Sequence, residues 1–319
     1  MKKLELAEIA ALLPQKDRIL IVIHKSPDGD AIGCGYGLCM ALRSLGKQAN
    51  VLCGDPIPPI YSYLTDLVPP TDMTPEYVVS VDLGDTKLLS GEAAAYKDRI
   101  DLCLDHHYSN SGFAAEGYVD GSAASCAEIL KRLLDLMPVT ITPDIANAVF
   151  TGVCTDTGCF RFSSVTAETH RIAAELIDLG ADSAMICRLM FDCKSRARVE
   201  LERMIYEGLT YYAGGQIAVV TITKQMLADS GATPFDTDGI AALARQIEGV
   251  RLGVTITEKD GGEFRFSVRS AGDIDASAIC ACFGGGGHRG AAGCSMEGTL
   301  EDVRQRMAEA CAKALGVSL

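Results

Sequence analysis

The chain contains no tryptophan, and aromatic residues make up only 6% of its 319 positions. A platform that stacks many bases in succession draws on aromatic side chains, and none is evident here. Basic residues are also in deficit: 29 Lys and Arg stand against 42 Asp and Glu, a net charge of −13. That balance argues against gripping long duplex nucleic acid, which calls for a basic face. It leaves room for a small anionic ligand if bound cations supply the local positive charge. No apolar run approaches the roughly 18 residues that a membrane span needs. The N-terminal stretch MKKLELAEIAALLPQ carries Glu5 and Glu8 where a leader would be apolar. It reads as an amphipathic helix ending near Pro14, and the protein is expected to be cytoplasmic. Thirteen cysteines are scattered without any C-x-x-C pair, so the pattern carries neither a disulfide framework nor a zinc signature; reduced, packed thiols are expected.

What is present is regular alternation. RILIVIH, QANVLC, EYVVSVDLGD and RIDLCLDHH read as strands; IGCGYGLCMALRSLG, SAASCAEILKRLLDLM, TPDIANAVFTGVCTD and TAETHRIAAELIDLG read as helices. Strands alternating with helices predict an α/β domain, a doubly wound and mainly parallel, Rossmann-like sheet with helices on both faces. The charged segment 186–212 is expected to form a connecting helix between a domain over 1–185 and a smaller α/β domain over 213–319. In the latter, RLGVTITEKDGGEFRFSVRS predicts a hairpin across Asp260-Gly261-Gly262, flanked by helices near 238–247 and 275–282, a glycine-rich loop and a closing helix over about 299–315. Residues 251–290 hold five Lys/Arg against five acids, a neutral stretch in an acidic chain and a candidate anion-facing surface. No internal repeat or low-complexity tract interrupts the pattern.

Ligand-type side chains gather where the strands end. His24, Asp28 and Asp30 follow the first strand, and Pro27 and Gly29 predict a loop there in which the two aspartates point the same way. Asp82 ends a second strand, and Asp105, His106 and His107 end a third. Asp156 follows a helical run in TGVCTDTG. Any one of these alone reads as a helix cap or a turn residue. Together they fall on the edge of a parallel sheet where ligands bind, and they include three of only five histidines. His288 sits in the glycine loop; His170 reads as a solvent-facing helix residue. Carboxylates and imidazoles without thiolate suit Mn²⁺ or Mg²⁺, with Zn²⁺ or Co²⁺ as alternatives. So many acids in one crevice require cations to offset their repulsion, and the set is large enough for two ions. Cys34, Cys154 and Cys159 read as packing residues.

HKSPDGDAIG, SVDLGD, DHH and VCTDTG resemble the four motifs of the DHH phosphoesterases, and FGGGGHRGAAG (283–293) resembles the glycine-histidine signature of the DHH-associated domain. The spacing is most similar to the oligoribonuclease/pAp-phosphatase branch. The resemblance implies two divalent ions, Mn²⁺ by preference with Mg²⁺ or Co²⁺ as alternatives. It implies a site in the cleft between the domains. His24, Asp28 and Asp82 would hold the first ion and Asp30, Asp82, His106 and Asp156 the second, with Asp82 bridging. His107 would face the scissile phosphate, and Asp105 would orient both histidines. Asn110 would lie near the phosphate, and Arg269, Gly286, Gly287 and His288 would hold the rest of the substrate. Two ions can clamp a phosphoryl group and lower the pKa of a water between them.

The expected substrates are short single-stranded RNA and small nucleotides such as pAp, with no long duplex and no membrane partner; a homodimer is left open. Cyclic dinucleotides or their linear products form the alternative substrate class. A non-catalytic nucleotide-binding protein is the alternative class of function, and intact ligands at all four motifs argue against it. Inorganic pyrophosphatases share the N-terminal motifs but use a lysine/arginine-rich anion site instead of a glycine-histidine loop.

Overall fold

The computed structural model describes residues 1–237 and 239–319. The chain divides into two units, Met1–Cys193 and Lys194–Leu319.

The first unit is built on six strands: β1 (Lys2–Lys3), β2 (Ile19–Val22), β3 (Ala49–Leu52), β4 (Tyr77–Val81), β5 (Leu102–Asp105) and β6 (Glu116–Val119). They lie in the order β1-β6-β5-β4-β2-β3 and every pairing is parallel. The apolar runs dictate the central strands, buried on both sides as parallel sheets require. Ile19, Ile21, Val79, Val81, Leu102 and Leu104 face one layer; Leu20, Val22, Val78 and Cys103 face the other. The first layer is helical: α1 (Leu6–Leu12), α2 (Gly29–Ser44), α3 (Ser62–Thr65), α4 (Cys126–Leu136), α5 (Pro143–Asp156), α6 (Ala167–Asp178) and α7 (Ser183–Cys187). The second layer is thinner than a helical one: Leu89, Ala93, Ile100 and Ala114 close it from short 3-10 turns and loops.

Strand order reverses at β2. The chain steps to β3 on one side and returns to β4 on the other, which leaves a crevice beyond the carboxyl ends of β2 and β4. β5 is the next strand along. The loops carrying His24, Asp82 and Asp105-His106-His107 are therefore spatial neighbours.

The charged segment does not form one connecting helix. α7 runs into a π turn over Arg188–Asp192, and α8 (Arg196–Glu207) starts afresh with Ser195 as its cap, the Ser195 Oγ accepting from Arg198 N. In the second unit β7 (Thr210–Tyr212), β8 (Ile217–Ile222), β9 (Leu252–Glu258), β10 (Glu263–Ser270), β11 (Gly286–His288) and β12 (Ala291–Glu297) form a sheet in the order β11-β12-β10-β9-β8-β7. Only β8 and β9 are parallel. α10 (Ala276–Ala281) and α11 (Leu300–Leu315) cover one face, and α8 covers the other; α9 (Lys224–Ser230) follows β8. The β9–β10 hairpin turns through Gly261 and Gly262 at positive φ (74° and 81°). Of the helix expected near 238–247, Asp238 lies outside the described residues and 240–246 form a 3-10 turn. Among the described residues no helix is long and apolar enough to cross a membrane.

Candidate metal centre

Asp82 follows β4 with φ at 53°, a conformation uncommon for a residue with a side chain. Its carboxylate is almost wholly buried, and Oδ1 has no hydrogen-bond partner. A buried carboxylate oxygen left without a donor is costly, so this atom is set for a ligand that the protein itself does not supply.

Two groups flank it. On one side His24 Nε2 lies 3.7 Å from Asp82 Oδ2 and 3.7 Å from Asp28 Oδ1. On the other, His106 Nε2 lies 3.5 Å from Asp82 Oδ1, 3.4 Å from Asp156 Oδ2 and 3.9 Å from Asp30 Oδ2. The ligand atoms of His24, Asp28 and Asp82 fall within 4.8 Å of one another, as do those of Asp30, His106 and Asp156. The six residues come from four separate stretches of chain.

Both imidazoles are aimed by backbone carbonyls. His24 Nδ1 faces Lys25 O at 2.8 Å, and His106 Nδ1 faces Ala123 O at 3.3 Å. A carbonyl only accepts, so Nδ1 carries the proton and Nε2 is left for a cation, the usual second contact of a metal-binding histidine. Asp105 thus orients one histidine rather than two: its Oδ1 accepts from His107 Nδ1 at 2.7 Å, while His106 is held by Ala123.

Asp28 and Asp30 are not in an extended loop. Asp28 caps α2, its Oδ1 accepting from Asp30 N and Ala31 N, and Gly29 and Asp30 form the first helical turn. Asp30 is fully buried and points at the start of α4, accepting from Cys126 N at 2.6 Å and Ala127 N at 2.9 Å. The helix begins earlier than Pro27 and Gly29 suggest because an aspartate cap satisfies its free amides. Close packing requires the glycine: a Cβ on Gly29 would stand 2.4 Å from Thr155 Oγ1.

The electrostatics reflect a surplus of carboxylates. Burial, then repulsion from Asp82, Asp156 and Asp28, pushes Asp30 well above the carboxylate range. Burial likewise raises Asp82, against the pull of His24 and His106. Asp156 is raised to about 6, by burial first and then by Asp82 and Asp28. Burial opposes charge on His24, but Asp28 and Asp82 prevail and raise it to about 11. Asp28 moves down, because His24 and its capped amides outweigh burial. Divalent cations would relieve all of this strain at once, and the all-oxygen-and-nitrogen donor set fits hard or borderline ions.

His107 is partly exposed and is raised to about 9, first by its hydrogen bond to Asp105 and against the cost of burial. Asn110, expected at the phosphate, is engaged elsewhere: Nδ2 donates to Asp105 Oδ2 at 2.7 Å and to Leu83 O at 3.2 Å, and its oxygen accepts from Gly112 N. It acts on Asp105. His170 is exposed and stacks on Phe160. Cys154 and Cys159, expected to serve packing alone, lie with Cys187 in a thiol cluster.

In the second unit the glycine loop is an ordered hairpin. Gly286, Gly287 and His288 pair with Gly293, Ala292 and Ala291. Ala291 also pairs with Arg269, so His288 and Arg269 share one row and one face of the sheet. Gly287 has φ 148° and a Cβ there would stand 2.7 Å from Ala291 O, which only glycine tolerates. A hollow of about 570 Å³ beside this hairpin is lined by Arg265, Phe283 and Gly284 to Gly286 among others.

Several contributors escape a reading of the motifs: the amides of Cys126 and Ala127, the carbonyl of Ala123, and the glycines that let α2 and α5 touch. A Cβ on Gly33 would lie 2.3 Å from Ala148 O, and one on Gly152 would lie 2.6 Å from Asp30 Oδ1. The spacing Gly29, Gly33, Gly37 along α2 is the signal that could have revealed that contact.

The profile of the DHH family, N-terminal domain, matches residues 18–153, and that of the DHHA1 domain matches 214–315. The chain is 34% identical over 301 residues to the bifunctional oligoribonuclease and PAP phosphatase NrnA of Thermus thermophilus, covering 92% of this chain and 88% of that one. It is 26% identical over 294 residues to the protein of the same name from Bacillus subtilis, covering 91% and 92%. Among solved structures, an exopolyphosphatase-related protein from Bacteroides fragilis superposes with a TM-score of 0.85 at 25% identity, over 97% of this chain and 96% of the other.

Proposed function

The chain belongs to the DHH family, and from that premise we propose that it is a metal-dependent phosphoesterase that hydrolyses short oligoribonucleotides to mononucleotides and removes phosphate from pAp. The relatives named for those activities span nearly its whole length. The observation that carries the reading is the buried, partnerless Oδ1 of Asp82 between two groups of aimed ligands.

Two divalent ions, Mn²⁺ by preference, fit the donors: His24, Asp28 and Asp82 for one, and Asp30, Asp82, His106 and Asp156 for the other. When bound, such ions supply Lewis-acid charge and an acidified water. The remaining work falls to the chain. Lys25 O and Ala123 O fix the two imidazoles, and the α4 amides fix Asp30, so the ligands need no reorganisation. His107, held in its charged form by Asp105, presents Nε2 to a non-bridging phosphoryl oxygen and stabilises charge that develops there. Asn110 and Asp105 act as positioning residues for His107.

In the second unit the shared face of Arg269 and His288 and the open backbone at Gly286 and Gly287 support binding of a second anionic group of the substrate. A second anchor favours short substrates over long strands. The test is a side-by-side rate comparison with added Mn²⁺ on pAp, a dinucleotide, a pentanucleotide and a cyclic dinucleotide. The reading expects turnover of the first three in preference to the cyclic species. His288→Ala should raise KM while leaving Mn²⁺ affinity unchanged. No turnover of any substrate with any divalent ion would overturn the catalytic reading; preference for the cyclic dinucleotide would overturn the substrate assignment.

A further inference from the structure

Cys154, Cys159 and Cys187 bring three sulfurs within 4.8 Å of one another. Cys187 Sγ lies 3.6 Å from Cys154 Sγ and 3.7 Å from Cys159 Sγ. With Zn–S bonds of about 2.3 Å, tetrahedral geometry sets sulfur–sulfur edges at about 3.8 Å. Thiols in ordinary contact can also approach this closely, so the distances alone do not decide the matter.

Two interruptions of regular helix bring the sulfurs together. Cys154 is buried in α5; the other two thiols are half-buried, Cys159 in the turn after α5 and Cys187 at the last position of α7. Immediately after α5, Gly158, Cys159 and Phe160 all take positive φ, at 56°, 57° and 61°. Consecutive left-handed residues with side chains are costly. Stacking of Phe160 on His170, with ring centroids 5.4 Å apart, accounts for Phe160. Cys159 N donates to Cys154 O at 2.8 Å and Arg161 N to Thr157 O at 3.0 Å, closing the turn after α5, and this turn carries the Cys159 sulfur, which also packs against the core, to Cys187. Cys187 ends α7 where the helix widens into the π turn of Arg188–Asp192, a distortion frequent at functional sites. Two unrelated irregularities thus deliver two sulfurs to a third.

The geometry points to a trithiolate site for one thiophilic cation of the Zn²⁺ class, held by Cys154, Cys159 and Cys187 and separate from the carboxylate–imidazole centre. On binding, each thiol gives its proton to solvent and its sulfur forms a bond to the ion. Three protons leave for one dication, and the fourth position stays open to solvent or a further oxygen donor. The site brackets Asp156, two residues after Cys154 and three before Cys159. An ion there fixes the turn that aims this carboxylate at His106, a structural role that the all-oxygen-and-nitrogen donors of the catalytic centre do not share.

The test uses the full chain, kept reduced, titrated with Co²⁺ as a spectroscopic stand-in for Zn²⁺. With the carboxylate–imidazole centre first filled with Mn²⁺, one equivalent should give sulfur-to-cobalt charge-transfer absorption and intense visible bands of tetrahedral cobalt, both abolished by stoichiometric Zn²⁺. Cys187→Ser and Cys159→Ser should each lose the charge-transfer absorption, while Cys193→Ser, at an exposed thiol outside the cluster, and Asp82→Asn should retain it. A second readout requires no variant: Zn²⁺ should protect Cys159 and Cys187 from alkylation, mapped by mass spectrometry, while Cys193 and Cys282 still react. Absence of the sulfur bands, their persistence in Cys187→Ser, or equal alkylation with and without Zn²⁺ would overturn the assignment.

Discussion

Replacing Asp82 with asparagine isolates what the bridging carboxylate does. Asparagine is among the few residues at ease at positive φ, so the φ of 53° should survive. In the metal-free protein the change removes a buried charge whose Oδ1 has no partner, so the first unit should melt no lower than wild type and should melt higher if burial dominates. The metal-bound protein behaves oppositely. An ion present at about 100 times its Kd stabilises the state that binds it by about 2.7 kcal/mol. Two ions contribute about 5 kcal/mol by the same relation. For a unit of the size of Met1–Cys193, each kcal/mol moves Tm by about 2–4 °C, so saturating Mn²⁺ should raise the wild-type melting temperature by roughly 10–20 °C. Asp82 touches both ligand groups, so Asp82→Asn should lose nearly the whole increment. Asp156→Asn and Asp28→Asn, each belonging to one group, should lose about half; in Asp28→Asn the cap of α2 is retained, since asparagine caps as well as aspartate. The assay is thermal unfolding with a Mn²⁺ titration and a chelator control. Half the increment surviving in Asp82→Asn would show that this residue serves a single ion and would refute the bridging role.

Three further outcomes follow from the geometry. Near neutral pH, His24 holds a proton in the metal-free site because its neighbours raise it to about 11, so Mn²⁺ binding should release at least one proton, read as buffer-dependent heat in calorimetry. Asp156 is raised to about 6; as pH falls through that value protons compete for the carboxylate and Mn²⁺ affinity should drop, whereas unchanged affinity and no proton release would contradict the electrostatics. His107→Ala should lower kcat by about 10²–10⁴-fold with the Mn²⁺ melting response intact, and Asn110→Ala, acting through Asp105, by a smaller factor of about 10–100; loss of metal binding in His107→Ala would make it a ligand instead. Gly152→Ala would place a Cβ 2.6 Å from both Asp30 Oδ1 and Ala127 Cβ, and such overpacking should cost about 1–3 kcal/mol in thermal unfolding and weaken Mn²⁺ binding; an unchanged protein would mean that α2, α4 and α5 are less tightly locked than described.

The central strands and long helices were legible because apolar runs and helical periodicity are local signals. β1 and β6 were not: two lysines and the run EGYV carry no alternation, and only pairing to each other and to β5 makes them strands. The crevice was legible because ligand-type residues ended successive strands. Its supports were hidden, since Asp30 is held by amides 96 and 97 residues away and His106 by the carbonyl of Ala123. Distance along the chain likewise hid Cys187 from Cys154 and Cys159. The early start of α2 is not legible because Pro27 and Gly29 signal a loop locally, while the cap that Asp28 provides overrides them.

Anomalous diffraction at the manganese edge from crystals grown with Mn²⁺ puts the two-ion centre to its sharpest trial. Two peaks should appear about 3.5–4 Å apart, one beside His24 and Asp28 and the other beside Asp30, His106 and Asp156, with Asp82 touching both. A single peak, or none within reach of Asp82, would contradict it.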